Sequence, residues 1–460
     1  VTTTTAAGQH SLRELNLAAV VDVIYDDAAP PSRAGVAART GLTRATVSTL
    51  VDRLISARIV RELPLPAARG VGRPGVPLAP APRSLVGLGL EVNLGYVGAR
   101  ILDLTGEVVA QEILSGDFAG SEPGQVLGQL GHLARELVRG VEAGGMTVAG
   151  ARLALPGLVR ASAGRLEIAP NLGWRDLDPL APLGLSSMDV GVRNEAKLAG
   201  LAQTPMRAAA RTRGEVELPG SFVYVSGGVG IGSAILFDRE LFEGRHGWSG
   251  EIGHVVVHRS GPVCRCGNHG CLEQYAGQGA ILAAAGLAPA AGIEAAAGLA
   301  PAAGLAPAAG LAPAAGLAPS AGLAPGSGLA PGAGLAPGAG LAPAAGLDDL
   351  TAALRSAGEQ GARARSAVAT AADALGRALA DYVNIVDVEA VVLGGIYAPL
   401  FEQLRPAIRE WLDRGVLYAP HEPVDLLIAP VRDFAALTGG AREVLRGVLA
   451  DPSPWVNGAA

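Results

Sequence analysis

Residues 250–273 read GEIGHVVVHRSGPVCRCGNHGCLE and hold all three cysteines of the chain, Cys264, Cys266 and Cys271. Three soft thiolates on one glycine-rich knuckle, with His254 ten residues before Cys264, make the donor set of a closed tetrahedral Zn²⁺ site. A closed site leaves no position for water, so such an ion would be structural and hold a loop in place. His258 and His269 are alternative fourth ligands, and a metal-free redox cluster is the competing reading. An odd, clustered set of cysteines argues against disulfides where no export signal is present. The opening VTTTTAAGQH has neither a basic start nor an apolar run, as a signal peptide would. No run of about 18 apolar residues suggests a membrane span, so a soluble, cytoplasmic protein is expected.

Downstream of the knuckle, glycine recurs at every sixth position from 286 to 346, and nine of these glycines begin GLAP. Gly and Pro in each hexad oppose both helix and strand, and the apolar residues are too sparse to offset ordering entropy. Residues 286–347 therefore read as a disordered or loosely extended insertion, a slippage-born tract rather than a partner-binding tether. Around it, strands and helices alternate. Residues 84–114 alternate like a strand meander, a helix is predicted near 123–143, and a strand over 149–155. A strand-to-helix junction follows at 190–202, and SFVYVSGGVGIGSAILF reads as two strands joined through glycines. Helices near 351–385 and 398–414 are separated by a strand at 390–393 and followed by one at 424–428. This is an α/β body.

The 460 residues carry a formal charge of −6, which excludes a general polyanion binder. The first 80 residues differ, with nine Arg against six Asp and Glu. Helices are predicted at about 12–25, with apolar Leu12, Leu15, Ala19 and Val23 at helical spacing, and at 32–39, ending at Gly41. A third begins after the N-cap Thr43, with Val47, Leu50, Val51 and Leu54 inward. Thr43, Arg44, Thr46, Ser48, Thr49 and Arg53 then face solvent, a set suited to phosphates and base edges in a major groove. Segments 59–63 and 76–78 would form a wing whose tip presents Arg73 to a minor groove. A winged helix-turn-helix is expected, with a protein-docking helical domain as the alternative.

Gly250-Glu251-Ile252-Gly253-His254 followed by Cys264-Arg-Cys266-Gly-Asn-His-Gly-Cys271-Leu-Glu273 resembles the ROK family of repressors, open reading frames and sugar kinases. Pro156-Gly157, Asn171-Leu-Gly-Trp174, Asn194-Glu195-Ala196, Gly227-Gly228-Val229-Gly230 and Leu393-Gly394-Gly395 agree with it, as do GLTRATVSTLVDRLI and Gly72-Arg73-Pro74 in the head. The resemblance implies a two-lobed, actin/hexokinase-like (RNase H-like) body with a zinc site and a sugar cleft. It implies a winged helix-turn-helix over 1–80, a first lobe over 84–196 to which 436–460 returns, and a second lobe over 197–435. Carried over by position, Asn171, Asn194, Glu195, Glu251, His254 and Glu273 would bind sugar, while His254, Cys264, Cys266 and Cys271 would bind zinc.

Kinases of this family carry an Asp-x-Gly-Gly-Thr phosphate turn, and the matching stretch here is Glu91-Val92-Asn93-Leu94-Gly95. Both glycines that admit a phosphate to the backbone are replaced. The carboxylate at Glu195 is one methylene longer than the family's catalytic Asp, a displacement that cripples a general base. The expectation is a non-enzymatic, sugar-responsive repressor, most similar to the xylose-type members and acting as a homodimer on operator DNA. Its effector would be a sugar of xylose, glucose or N-acetylglucosamine type. An ATP-dependent sugar kinase with a fused DNA-binding head is the alternative.

Overall fold

The computed structural model describes residues 9–27, 29–65, 75–205, 217–287 and 346–457. The expected wing tip with Arg73, and the hexad repeat apart from its two ends, lie outside the described residues. The N-terminal unit contains α1 (Gln9–Asp26), α2 (Arg33–Thr40) and α3 (Arg44–Ser56), then β1 (Val60–Glu62) paired antiparallel with β2 (Leu78–Pro80). Ser32 caps α2 by accepting from the Gly35 N–H, and Gly41 ends it in the left-handed region at φ 72°, where a side chain would be strained. The Thr43 hydroxyl accepts from the Thr46 N–H and starts α3, which buries Val47, Leu50, Val51 and Leu54 as its spacing predicts. The second strand of the ribbon lies two residues later than the 76–78 expected.

The core face of α1 differs from the expected stripe. Leu12 and Leu15 are 53% and 64% exposed, whereas Leu17, Val20, Val21, Ile24 and Tyr25 are buried. Apolar residues lie all round this helix, so periodicity offers two overlapping stripes. The buried one is broader, and the Tyr25 hydroxyl finds a partner by donating to the Ile59 carbonyl at 2.7 Å.

The body repeats one winding twice. β3 (Leu85–Val92), β4 (Tyr96–Asp103) and β5 (Val108–Ser115) form an antiparallel meander. Then α4 (Pro123–Ala143) crosses to β6 (Thr147–Leu155), parallel to β3. A separate three-stranded sheet of β7 (Leu158–Arg160), β8 (Arg165–Ala169) and β9 (Trp174–Leu177) intervenes with α5 (Leu180–Leu183). β10 (Val190–Asn194) then joins β6 in parallel and runs directly into α6 (Glu195–Leu201). The second sheet begins with the meander β11 (Phe222–Gly227), β12 (Ile231–Phe237) and β13 (Glu240–Phe242). The knuckle follows, with α7 (Glu273–Ala276), α8 (Gln278–Ala284), α9 (Leu347–Arg355) and the long α10 (Glu359–Val386). β14 (Ala390–Gly395), α11 (Phe401–Gly415) and β15 (Asp425–Ile428) close it. The spatial orders are β5-β4-β3-β6-β10 and β13-β12-β11-β14-β15, the same topology in two lobes.

Two helices change lobes. α6 leaves the first sheet to pack on β12 and β11, while α12 (Ala435–Ala450) leaves the second to lie on β3, β6 and β4. They meet backbone to backbone: a Cβ at Gly439 would lie 1.8 Å from the Leu198 carbonyl oxygen. Likewise, a Cβ at Gly89 would lie 1.9 Å from the Leu437 oxygen, so β3 and α12 also touch without side chains between them. The far half of α12 (Ala441, Leu445, Val448 and Leu449), with Val456 of α13 (Ser453–Asn457), enters the same apolar cluster as Leu17, Val20, Leu54 and Leu78. The N-terminal unit therefore shares a core with the body. Arg58 adds polar ties, donating to the carbonyls of Gly145 at 2.8 Å and Arg83 at 3.0 Å. Among the described residues, no helix is long and apolar enough to cross a membrane.

Candidate functional site

The knuckle brings its four expected ligands together. The donor atoms of His254, Cys264, Cys266 and Cys271 all lie within 4.8 Å of one another. The Cys266 and Cys271 sulfurs are 3.6 Å apart, and His254 Nδ1 is 3.8 Å from Cys264 Sγ. The edge of a tetrahedron with zinc–sulfur arms of about 2.3 Å is roughly 3.8 Å, so the cluster is of a size to hold such an ion. His258 and His269, the other sequence candidates, are not in this group. Instead Val263 pairs with His269 and Val256 with Cys271 in isolated bridges that shape the knuckle. Because Nδ1 faces the thiols, the other ring nitrogen of His254 is left for a different partner.

The expected sugar residues come from both lobes: Glu273 meets Asn171 at Gly230, Glu251 and Glu273 share the field of His254, and Glu195 lies against Asn93. Asn194 ends β10, and its Oδ1 accepts from the N–H groups of Ala196 at 2.9 Å and Lys197 at 3.2 Å. Its Nδ2 donates to the Gly157 carbonyl at 2.9 Å. The side chain is thus a helix cap and a brace to the turn between β6 and β7, with one amide hydrogen left over. Glu195 opens α6. From the second lobe, Glu273 at the start of α7 and Asn171 of the first lobe both approach Gly230; a Cβ there would lie 2.8 Å from Glu273 Oε2 and 3.8 Å from Asn171 Nδ2. Glu251 and Glu273 both lie in the field of His254, which offsets part of the rise that burial imposes on their pKa values. Carboxylates and amides of this kind suit hydroxyl groups, which donate to the former and exchange bonds with the latter.

Lys197, the one lysine of the chain, carried no role in the sequence reading. It is buried, and its Nζ donates to the Gly247 carbonyl, drawing the loop before Glu251 onto α6. Burial lowers its pKa, against the pull of Glu243 and Glu251. Beside this loop the Arg160 guanidinium stacks 4.9 Å over the Trp248 ring, a further bridge between lobes. Neither contact has a local sequence signature.

The Glu91–Gly95 turn is closed on itself. Asn93 Nδ2 reaches Glu91 Oε1 at 3.4 Å and Glu195 Oε2 at 3.3 Å. The Gly95 N–H donates to Asn93 Oδ1, and the Asn93 N–H donates to the Tyr96 carbonyl. Two amides that could cradle a phosphate are therefore already bonded within the turn. Burial pushes Glu91 up to about 7, against the pull of Tyr96, Asn93 and Arg100. Burial and the neighbouring Glu91 push Glu195 up to about 8. Arg100, the nearest cation to Glu91, is committed to Gln111, Thr438 and the Asp433 carbonyl.

On α3, Thr43, Arg44 and Thr49 are exposed, while Thr46, Ser48 and Arg53 are half-buried. Arg53 lies against the C-terminal helix, donating to Asn457 Oδ1 at 2.5 Å. Asp52 shares the solvent face with these residues, and its charge is met by Arg33 at 2.7 Å. Arg33 also reaches Glu62 of β1 at 2.9 Å, so one guanidinium ties the ribbon to both helices.

Residues 95–299 match the model of the ROK family. The xylose repressor of Caldicellulosiruptor bescii is 28% identical over 279 residues, 60% of this chain and 67% of that protein. The xylose repressor of Bacillus subtilis is 29% identical over 254 residues, 55% of this chain and 63% of that one. The DNA-binding transcriptional dual regulator NagC of Escherichia coli is 26% identical over 282 residues, 59% of this chain and 64% of that one. Among solved structures, a ROK family transcriptional regulator described as a homologue of the Escherichia coli MLC protein superposes with a TM-score of 0.68 at 21% identity. It covers 97% of this chain and 98% of that one. A ROK family glucokinase from Streptomyces griseus reaches a TM-score of 0.53 at 22% identity, over 78% of this chain and 98% of that one. These structural likenesses concern the fold, a two-lobed actin/hexokinase-like α/β body. Doubled sheet topology, exchanged helices and the Cys/His knuckle agree with the match of residues 95–299 to the ROK family model.

Proposed function

We propose that this protein is a sugar-responsive transcriptional repressor. In this reading residues 1–80 are a winged helix-turn-helix that meets operator DNA through Thr43, Arg44, Thr46, Ser48, Thr49, Arg53 and Arg73. Residues 84–196 with 436–460 form one lobe, 197–435 form the other, and 286–347 are an insertion. A small sugar of xylose, glucose or N-acetylglucosamine type binds between Asn171, Asn194, Glu195, Glu251, His254 and Glu273. His254, Cys264, Cys266 and Cys271 hold a structural Zn²⁺, whose chemistry is to fix the knuckle and so orient His254 and Glu273. The protein acts as a cytoplasmic homodimer.

The observation that carries this reading over a kinase is Asn93, whose side chain occupies the turn and ties Glu91 to Glu195. A nucleotide phosphate would have to break those bonds. The names of the relatives point the same way. Ligand closing the lobes would move α6 against α12, and α12 ends in the core of the head. Sugar shifts the DNA equilibrium only to the extent that it binds the two arrangements with different affinity.

Fluorescence anisotropy of the gene's own upstream DNA, titrated with protein at stated salt with and without a sugar panel, tests the proposal. Sequence-preferring binding that one sugar changes is expected. No preference over random DNA at any sugar concentration would sink it. Sugar-dependent ADP release that vanishes in Glu195→Ala would establish the kinase instead.

A further inference from the structure

The groove between α1 and α3 joins residues of the α3 motif to residues of α1 that carry no role so far. It has a volume of about 390 Å³ and is lined by Leu12, Arg13 and Asn16 of α1 and by Thr46, Thr49 and Leu50 of α3. Arg13 is exposed at its mouth. Arg53 follows Thr49 by one helical turn on the same side of α3. We propose that this groove is a phosphate site for one strand of the DNA backbone, with Arg13 and Arg53 as its two guanidiniums and Asn16 as a neutral donor.

Three observations carry the assignment. First, the partner given to Arg53 is the neutral Asn457 side chain, which orients the guanidinium without cancelling its charge. Second, Arg13 acts on Arg53 as a like charge, adding to burial in lowering its pKa. Two cations brought together beside a neutral wall form a place where an anion gains affinity. Third, the carboxylate nearest on the same helix, Asp52, is turned to Arg33. The Thr49 hydroxyl donates to the Ala45 carbonyl, and the Thr46 hydroxyl is paired with that of Thr43. The threonines thus supply walls and the arginines supply the donors, which is the division expected where a contact positions the duplex rather than reads it.

This inference rests on the DNA-binding reading and adds α1 to its surface. The test is anisotropy on the upstream duplex and on a scrambled duplex of equal length, at several salt concentrations, with full-length wild type, Arg13→Gln and Arg44→Ala. Arg13→Gln keeps most of the stem, and its melting curve should match wild type because the side chain is exposed. It is expected to weaken both duplexes by the same factor, on the order of tenfold. It should also lower the slope of log K against log salt by about one. Arg44→Ala should instead reduce the preference for the upstream duplex. If wild type binds DNA and Arg13→Gln matches it in affinity and slope, the phosphate site is wrong while the repressor reading stands. A loss confined to the upstream duplex would also overturn it, by making Arg13 a base reader. If wild type binds neither duplex, the DNA-binding reading falls and takes this one with it.

Discussion

Two glycine-to-alanine changes in one helix should act in opposite directions. Gly439 and Gly447 both lie within α12, but they face different surroundings. A Cβ at Gly439 would lie 1.8 Å from the Leu198 carbonyl oxygen and 2.5 Å from its carbon, whereas nothing lies within 4 Å of one at Gly447. A carbon needs about 3 Å or more from such an oxygen, so Gly439→Ala must push α6 and α12 apart by roughly 1 Å. Overpacking on that scale costs about 1–3 kcal/mol, set against a helix-propensity gain of up to about 1 kcal/mol. Gly447→Ala has the gain alone. At about 2–4 °C per kcal/mol for a unit of 150–250 residues, Gly439→Ala should melt several degrees below wild type, and Gly447→Ala level with it or slightly above. Thermal unfolding followed by circular dichroism reads both. If sugar closes the cleft, the Gly439 variant should also bind sugar with altered coupling to DNA, because the crossing helices are displaced. Equal melting temperatures for Gly439→Ala and Gly447→Ala would refute the backbone contact on which the argument rests.

Three further outcomes are expected. If the knuckle holds zinc as proposed, a chelator should lower the melting temperature and open the buried Cys264 and Cys271 to a thiol reagent; unchanged melting after complete metal loss would deny it a structural role. The raised pKa values of Glu91 and Glu195, about 7 and about 8 against 4.5, mean that the folded state binds more protons than the unfolded one. Their contribution is therefore greatest below about pH 4.5 and is lost as pH rises to about 8. Glu195→Gln should lose less stability than wild type between about pH 4.5 and pH 8, and parallel pH profiles would contradict the burial argument. Arg58→Ala removes the bonds to Gly145 and Arg83 and should cost about 1 kcal/mol, with faster amide exchange in β1 than in β3. Uniform exchange would show that these bonds do not hold the head.

The sequence was most legible where local rules and tertiary structure agree. The α4 helix spans Pro123–Ala143 as expected, and Thr43 and Asn194 are caps at the starts where their residue types place them. His254, Cys264, Cys266 and Cys271 fall together because the three cysteines share one tight loop and His254 lies close before it. Elsewhere long-range packing decided. Gly439 and Gly440 lie inside α12, where Leu198 and β3 approach that helix closely. In α1 the choice between two apolar stripes was made by α3 and α12, which no local pattern encodes. The small sheet of β7, β8 and β9 went unread because its strands are only three to five residues long. Asn93 was legible as a bulky replacement for glycine, but its bridging of Glu91 and Glu195, 102 residues from the latter, was not.

The common core of head and body has a consequence for energy flow. A reader domain on a flexible tether must freeze that tether when it docks, and its docking leaves the rest of the molecule untouched. Here α12 and α13 contribute Leu445, Val448 and Val456 to the interior of the head, so there is little tether entropy to lose. Coupling through that core is necessarily two-way. Whatever factor a cleft ligand imposes on DNA affinity, DNA must impose on that ligand, and a repressor seated on its operator would sense a different sugar concentration from one free in solution.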